Sequence, residues 1–336
     1  MELAPELLVR LHEIMIRSRC LEERLIRMNK QGDGYFWIGG PGEEAFNAAL
    51  GLLVHKGQGP QFDYLHLHYR SSATLLAMGA DAVDALRQMK NTATDPYSGG
   101  RNFCNHYSVR KWNVVPVSSP IEVQFSQAPG TAIANKRAGG KGITIVQGGD
   151  AGTAEGDFPT CLVWVSRPGN ELPCLMIVTN NKWGISTPAS EQHGEKHIAD
   201  RGKPFGMRTA VIDGNDVEVA YRELQKAMEY VRTERKPFLL EAMVSRLYGH
   251  SSASGANFVP EEDCIVRMEK MLEERKILTR AQMDELRART TQELLEASKR
   301  VREEPQPDGQ DIWKHVFAER DLVHEGAHGN GSPGGQ

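Results

Sequence analysis

Five apolar runs, at residues 114–117, 143–147, 174–179, 208–213 and 238–244, alternate with helical patterns near 120–138, 155–165 and 217–233. That rhythm leaves few folds open. Strands joined by helices run parallel, and a parallel sheet is stable only when helices cover both faces. The expected class is α/β, three layers with a mainly parallel sheet between helices. Helical patterns at about 5–29 and 43–53 come first, and charge-laced ones at 261–276 and 280–303 follow, ending at Pro305. In the 217–233 pattern Asp216 is a good N-cap, and Val217, Tyr221, Leu224, Met228 and Val231 recur at helical spacing, so this stripe belongs in the core. Thr279 is the expected cap of the last helix. The expected division is an N-terminal helical segment at 1–60, an α/β anion-binding domain at 61–258, C-terminal helices at 259–320 and a flexible tail at 321–336, glycine-rich from about Gly326.

Composition narrows the function classes. A net charge of −4 with mixed signs over 336 residues excludes a strongly basic nucleic-acid binder. No stretch approaches the apolar length of a membrane span. The first residues open straight into an amphipathic pattern with neither a secretory core nor an Arg/Ser-rich transit character, so cytoplasm is expected. Cys20, Cys104, Cys161, Cys174 and Cys264 are scattered without a C-x-x-C pair and read as reduced, buried thiols. His66-Leu67-His68 lacks zinc-type partners and reads as structural or pocket-lining.

The chemistry concentrates in Val146-Gln-Gly-Gly-Asp-Ala-Gly-Thr-Ala-Glu-Gly-Asp157. Glycines after an apolar run let backbone N–H groups approach a phosphate, and the following helix adds its positive end. A carboxylate in such a turn repels phosphate, so Asp150 fits only if a hard cation lies between them. A second run, Cys174 to Thr179, ends just before Asn181, whose amide oxygen suits the same ion. One Asp, one Asn, a backbone carbonyl, two phosphate oxygens and a water complete the octahedron that Mg²⁺ demands. A dinucleotide loop also wants glycines here, but the spacing is not G-x-G-x-x-G, and no G-x-x-x-x-G-K-[ST] exists in the chain. Arg70 after Tyr69, and Arg246 four residues before His250, stand out as cations; Arg246, at the carboxyl end of its strand, would converge with Asp150 and Asn181 on one crevice. The glycine-rich loop 249–257 is expected to be mobile.

Tyr69-Arg70, Ser118-Ser-Pro-Ile-Glu-Val-Gln124, Gly149 to Asp157, Asn180-Asn181 with Gly184-Ile-Ser-Thr-Pro188, Ile212-Asp-Gly-Asn-Asp-Val217 and Arg246 to Ser251, in that order, resemble the alpha subunits of thiamine-diphosphate-dependent 2-oxo acid dehydrogenases. The resemblance covers about residues 10–320 and is strongest to the branched-chain 2-oxo acid type. It implies a thiamine-diphosphate-binding fold in which Asp150, Asn181 and the Trp183 carbonyl ligand Mg²⁺. Tyr69, Arg70 and Arg246 hold the diphosphate, and Ser119, Ile121, Gly149, Ala151 and Gly152 contact the cofactor. His250 is the implied catalytic residue. The implied assembly is an α2β2 heterotetramer, inactive without its beta subunit, that decarboxylates a 2-oxo acid and passes the acyl group to the lipoyl domain of an acyltransferase. Pyruvate or acetoin oxidation is the alternative within the family, and a noncatalytic alpha-like assembly subunit the alternative outside it. The sequence departs from the family at Ala151, where a glycine is usual, at Val123, where a threonine helps hold a monovalent cation, and at Thr179, where an arginine grips the diphosphate. The loop after His250 reads Ser254-Gly-Ala-Asn-Phe-Val259 in place of the family's Ser-Asp-Asp and Tyr-Arg pairs.

Overall fold

The computed structural model describes residues 2–314 and 316; the expected tail at 321–336 lies outside them. Helix α1 (Pro5–Lys30) carries proline in its first turn, where a missing N–H costs nothing, and buries Leu8, Leu11, Met15 and Leu25. Then come α2 (Glu44–Leu53), β1 (Tyr64–His66), α3 (Ser72–Ala77), α4 (Ala82–Lys90), α5 (Val123–Arg137), β2 (Thr144–Gly149), α6 (Asp157–Val165) and β3 (Cys174–Asn180). A two-residue hairpin, β4 (Trp183–Gly184) and β5 (Thr187–Pro188), precedes β6 (Arg208–Asp213), α7 (Val217–Glu234), β7 (Phe238–Met243), α8 (Cys264–Glu274) and α9 (Arg280–Arg302).

The main sheet has the order β1-β2-β3-β7-β6, and every neighbouring pair is parallel. Because side chains alternate across a strand, the central strands β2, β3 and β7 each feed two cores. Ile145, Leu175, Ile177, Leu240 and Ala242 join one cluster with α1, α2, α7, α8 and α9. Val146, Cys174, Met176, Val178 and Leu239 join another with Phe125 and Ala132 of α5 and Phe158 and Leu162 of α6. That alternation makes the three layers. Buried Asp63 pins the layers at the start of β1: it accepts from the His55 and Ile143 N–H groups and from both terminal nitrogens of Arg232 on α7, each of the latter at 2.6 Å.

The caps follow the sequence. Asp216 accepts from the Glu218 and Val219 N–H groups, and Thr279 forms a reciprocal capping box with Gln282. Of the helical stripe, Val217, Leu224, Met228 and Val231 are buried and Tyr221 packs at its edge. All five cysteines are free and buried, and among the described residues no helix is long and apolar enough to cross a membrane.

Two expectations need correction. The run 114–117 is not a sheet strand; Val114 makes only isolated bridges to Leu65 and Val109, and the edge strand is β1. The loop 249–257 is not a free loop. Ser252 N–H donates to the Trp37 carbonyl, the Ser252 hydroxyl accepts from Trp37 N–H, and Ser251 bridges Ile38, so a polar segment finds its partners in residues 37–38.

Candidate functional site

In an open parallel sheet, ligands collect beyond the carboxyl ends of the strands. Here β1 runs on into His68-Tyr69-Arg70, β2 into Gly149–Gly152 and β3 into Asn181–Trp183, while the segment after β7 reaches His250. A cavity of about 310 Å³ opens between them, walled also by Phe36, Ile38, Phe103, His106, Ser119, Ile121 and Glu122. Of the residues singled out in the sequence, Tyr69, Arg70, Ser119, Ile121, Gly149, Asp150, Ala151, Gly152, Trp183 and His250 line it.

Asn181 and Arg246 stand behind the wall. The Asn181 amide nitrogen donates to Glu43 Oε1 at 3.4 Å, and its oxygen accepts from the Trp183 N–H at 3.1 Å. Arg246 donates to the Ile185 carbonyl at 2.8 Å and lies 5.4 Å from the Trp183 ring. Its guanidinium therefore clamps the turn at Trp183–Ile185. That turn is strained: Lys182 and Ile185 have φ of 66° and 56°, costly for a β-branched side chain.

Asp150 is 1% exposed, and its Oδ2 has no hydrogen-bond partner. Burial raises its pKa, and the nearby Arg70 guanidinium partly offsets that. The turn that carries it differs from a phosphate loop of free amides. Gly149 N–H donates to Glu122 Oε1 at 3.1 Å, and the backbone N–H groups of Asp150 and Ala151 help hold the Asp150 pKa down without a formed cap bond. The N-terminus of α6 does not line the cavity, because a 3-10 turn over Ala151–Ala154 intervenes. Ala151 sits in that turn without a positive φ, so it needs no glycine. No cluster of three His, Cys, Asp or Glu side chains forms a metal nest among the described residues. A cation here would rest on one carboxylate, one amide and a backbone carbonyl.

Arg70 is the charge at the centre. It is 5% exposed, its Nε lies 3.7 Å from Glu43 Oε1, and its Nη2 lies 3.2 Å from His250 Nδ1. A guanidinium only donates, so His250 Nδ1 accepts, and the neutral ring carries its proton on Nε2. Burial, Arg70 and Arg246 depress the His250 pKa to about 4. In this state His250 is therefore a neutral Nε2–H donor. His106 has the opposite tautomer. Its Nδ1–H donates to the Cys104 carbonyl at 3.0 Å, so its Nε2 accepts from the Ser119 hydroxyl at 2.9 Å and orients it.

Sequence reasoning missed Glu43, His106 and Glu122. Glu122 is a buried residue with φ of 60° at the N-cap position of α5, and its carboxyl, making no capping bond, lies against Gly148, Gly149 and Gly152. Burial raises its pKa to about 8, offset in part by the Gly149 N–H and Arg70. Glu43 is likewise raised to about 7, by burial against the pull of Arg70. A glutamate between Ile121 and Val123 in a pocket-forming motif was the available signal for Glu122. Nothing local marks Glu43.

Residues 12–310 match the family model described as dehydrogenase E1 component. The chain is 30% identical over 253 residues to the 2-oxoisovalerate dehydrogenase subunit alpha, mitochondrial, of Dictyostelium discoideum, covering 75% of this chain and 56% of that protein. It is 32% identical to subunit alpha 1 of Arabidopsis thaliana, over 74% and 51% of the two chains. The corresponding Bacillus subtilis subunit alpha is 30% identical, over 73% of this chain and 72% of that one. The matches therefore span about half the length of the first two relatives and more of the bacterial one. With a parallel α/β sheet whose strand ends converge on Asp150, Arg70 and His250, and a match over most of its length, the chain belongs to the dehydrogenase E1 component family.

Proposed function

We propose that this chain is the alpha subunit of a thiamine-diphosphate- and Mg²⁺-dependent 2-oxo acid dehydrogenase acting on a branched-chain 2-oxo acid. One observation carries the reading. A buried carboxylate with an unpartnered oxygen, Asp150, shares a cavity wall with the buried guanidinium of Arg70 at the strand ends. Such a pair suits a diphosphate bridged by a divalent cation.

The residues present fit that group. Asp150, the Asn181 amide oxygen and the Trp183 carbonyl would hold Mg²⁺, with Glu43 gripping the other end of the Asn181 amide. Arg70 would take the diphosphate, with Tyr69 packed against its guanidinium at 4.9 Å. Arg246 would act from behind, through the turn at Trp183–Ile185. Ser119, Ile121, Gly149, Ala151 and Gly152 form the remaining contact surface. The bound cofactor supplies the carbon nucleophile and electron sink that decarboxylation of a 2-oxo acid requires. His250 presents a neutral N–H to a substrate oxygen, a hydrogen bond that can strengthen as negative charge develops there. Phe36, Ile38 and Phe103 give the cavity an apolar wall that suits an apolar acyl chain.

The mouth carries exposed apolar side chains, Ile121 (61%), Ile185 (53%) and Phe103 (48%), which favours a protein cover. We assign that cover to a beta subunit in an α2β2 assembly, with the acyl group passing to a lipoyl domain. The test is reconstitution with the beta-type subunit. The complex should release CO₂ from 3-methyl-2-oxobutanoate in preference to pyruvate when Mg²⁺ and cofactor are present. A complex that binds the cofactor and decarboxylates no 2-oxo acid contradicts the catalytic assignment and favours an assembly role.

A further inference from the structure

His68 sits immediately before Tyr69-Arg70, and its ring is left without a partner. It is 6% exposed, its Nδ1 is buried without a hydrogen bond, and among the described residues no protein group bonds its Nε2. The ring packs on Tyr69 with centroids 3.8 Å apart and lines the cavity. Burying Nδ1 without a hydrogen bond is costly, because burial strips water from a polar group and puts nothing in its place. Its neighbour His66 pairs its Nε2 with the Thr131 hydroxyl at 2.9 Å, so of the two rings only that of His68 is unpaired at both nitrogens.

The space it faces is defined by Gly149. A Cβ placed there would stand 3.5 Å from Arg70 Nη1, 3.9 Å from His68 Cε1 and 4.0 Å from His68 Nε2. Arg70 commits Nη2 to His250, which leaves Nη1 and the His68 Nε2 edge bordering one small gap over a residue without a side chain. A guanidinium N–H and an imidazole N–H around one gap describe a site for an oxygen anion. The charge state agrees: burial and the adjacent Arg70 hold His68 neutral, well below the usual histidine value, so one ring nitrogen carries a proton and can donate without adding a cation. Thr179, on the strand beside Gly149, has only a short hydroxyl that donates to the Gly148 carbonyl at 3.4 Å, so it brings no charge to the gap.

We propose that His68 is a diphosphate-binding residue of this site, donating from Nε2 to a phosphate oxygen that Arg70 Nη1 also holds. The assignment rests on the function proposed above. The experiment is calorimetric titration of the chain in complex with its beta-type partner, using inorganic pyrophosphate with Mg²⁺ and, separately, thiamine diphosphate with Mg²⁺. His68→Leu keeps the bulk and removes the donor; His68→Gln keeps an N–H at nearly the same reach. The expected result is a loss of roughly ten- to fiftyfold in both affinities for H68L, recovery to within about threefold of wild type for H68Q, and an unchanged KM for the 2-oxo acid at saturating cofactor. Wild-type pyrophosphate affinity in H68L overturns the assignment while leaving the proposed function standing. So does H68Q with wild-type thermal stability and no recovery of affinity. A wild-type complex that binds neither probe overturns both.

Discussion

Replacing Gly152 with alanine should be harmful only because of Glu122. Gly152 does not have a positive φ, so alanine meets no backbone penalty there. Its Cβ, however, would overlap Glu122 Oε1 and Cγ and stand 2.5 Å from Cδ. The glutamate cannot step aside freely. It is 2% exposed, its backbone is fixed at φ of 60°, and its carboxyl holds the Gly149 N–H. Overpacking of this kind costs about 1–3 kcal/mol. Glu122→Ala alone loses the Gly149 N–H bond, a long one from Gln124 Nε2 at 3.5 Å and some packing, about 1–2 kcal/mol. In the double variant the added methyl at position 152 enters the space the carboxyl left, and the glycine-to-alanine change reverts to its intrinsic gain of roughly 0.4–1 kcal/mol from a less flexible unfolded chain. Gly152→Ala should thus destabilise the wild type and be neutral or stabilising in the Glu122→Ala background, a coupling of about 1–4 kcal/mol. Urea denaturation of the four proteins, read by far-UV circular dichroism, measures it. Additive effects within about 0.5 kcal/mol would show that Glu122 does not fill the floor of the turn.

Three further outcomes follow from groups away from the turn. Glu22 is fully buried and accepts from Trp37 Nε1–H, the Ser72 hydroxyl and Asn105 Nδ2–H; burial outweighs those donors and raises its pKa from 4.5 to about 7. The native state thus holds a proton that the unfolded chain has released. Its contribution is full below about pH 4.5 and is lost as pH rises through about 7, on the order of 3 kcal/mol in all. Glu22→Gln should flatten the fall of Tm with pH across that window, and an unchanged slope would refute the assignment. Asp63→Ala strips four hydrogen bonds and leaves the largely buried Arg232 without its carboxylate, so it should cost about 3–5 kcal/mol in chemical denaturation; a loss below about 1 kcal/mol contradicts the layer-pinning role. Burial also pushes the thiols of Cys20, Cys104, Cys161 and Cys264 up, so a disulfide reagent should label none of the five cysteines in the native protein and all of them in denaturant. A rapidly labelled native thiol would show an exposed cysteine.

Much of the architecture was readable because it obeys simple periods. The runs at 143–147, 174–179, 208–213 and 238–244 became β2, β3, β6 and β7 to within a residue or two; β2, β3 and β7 were legible because a strand buried on both faces is largely apolar, while β6, at the sheet edge, is mostly exposed or half-buried. Asp216 and Thr279 were legible as caps because capping is local. β1 escaped notice because three residues carry no periodicity, and Val114 looked like a strand because its apolar run packs beside that edge without joining the ladder. Helices α3 and α4, of 6 and 9 residues, are too short for a clear stripe. In the cavity, Asp150 could be placed on paper because it follows a strand legible in the sequence, whereas Tyr69, Arg70 and His250 came through the family resemblance. Glu122 meets Gly149 across 27 residues and Glu43 meets Asn181 across 138, and such contacts exist only once the layers have packed. The tautomer of His250 was illegible for the same reason, since Arg70, 180 residues away, sets it.

The central claim is that Asp150 binds the diphosphate only through a cation. Its most direct test is isothermal titration of the reconstituted complex with thiamine diphosphate, with Mg²⁺ and with chelator, for wild type and Asp150→Ala. The account predicts saturable binding by wild type with Mg²⁺, and a loss of at least about a hundredfold on chelation or in the variant. Equal affinity with and without the metal, or in Asp150→Ala, would contradict it.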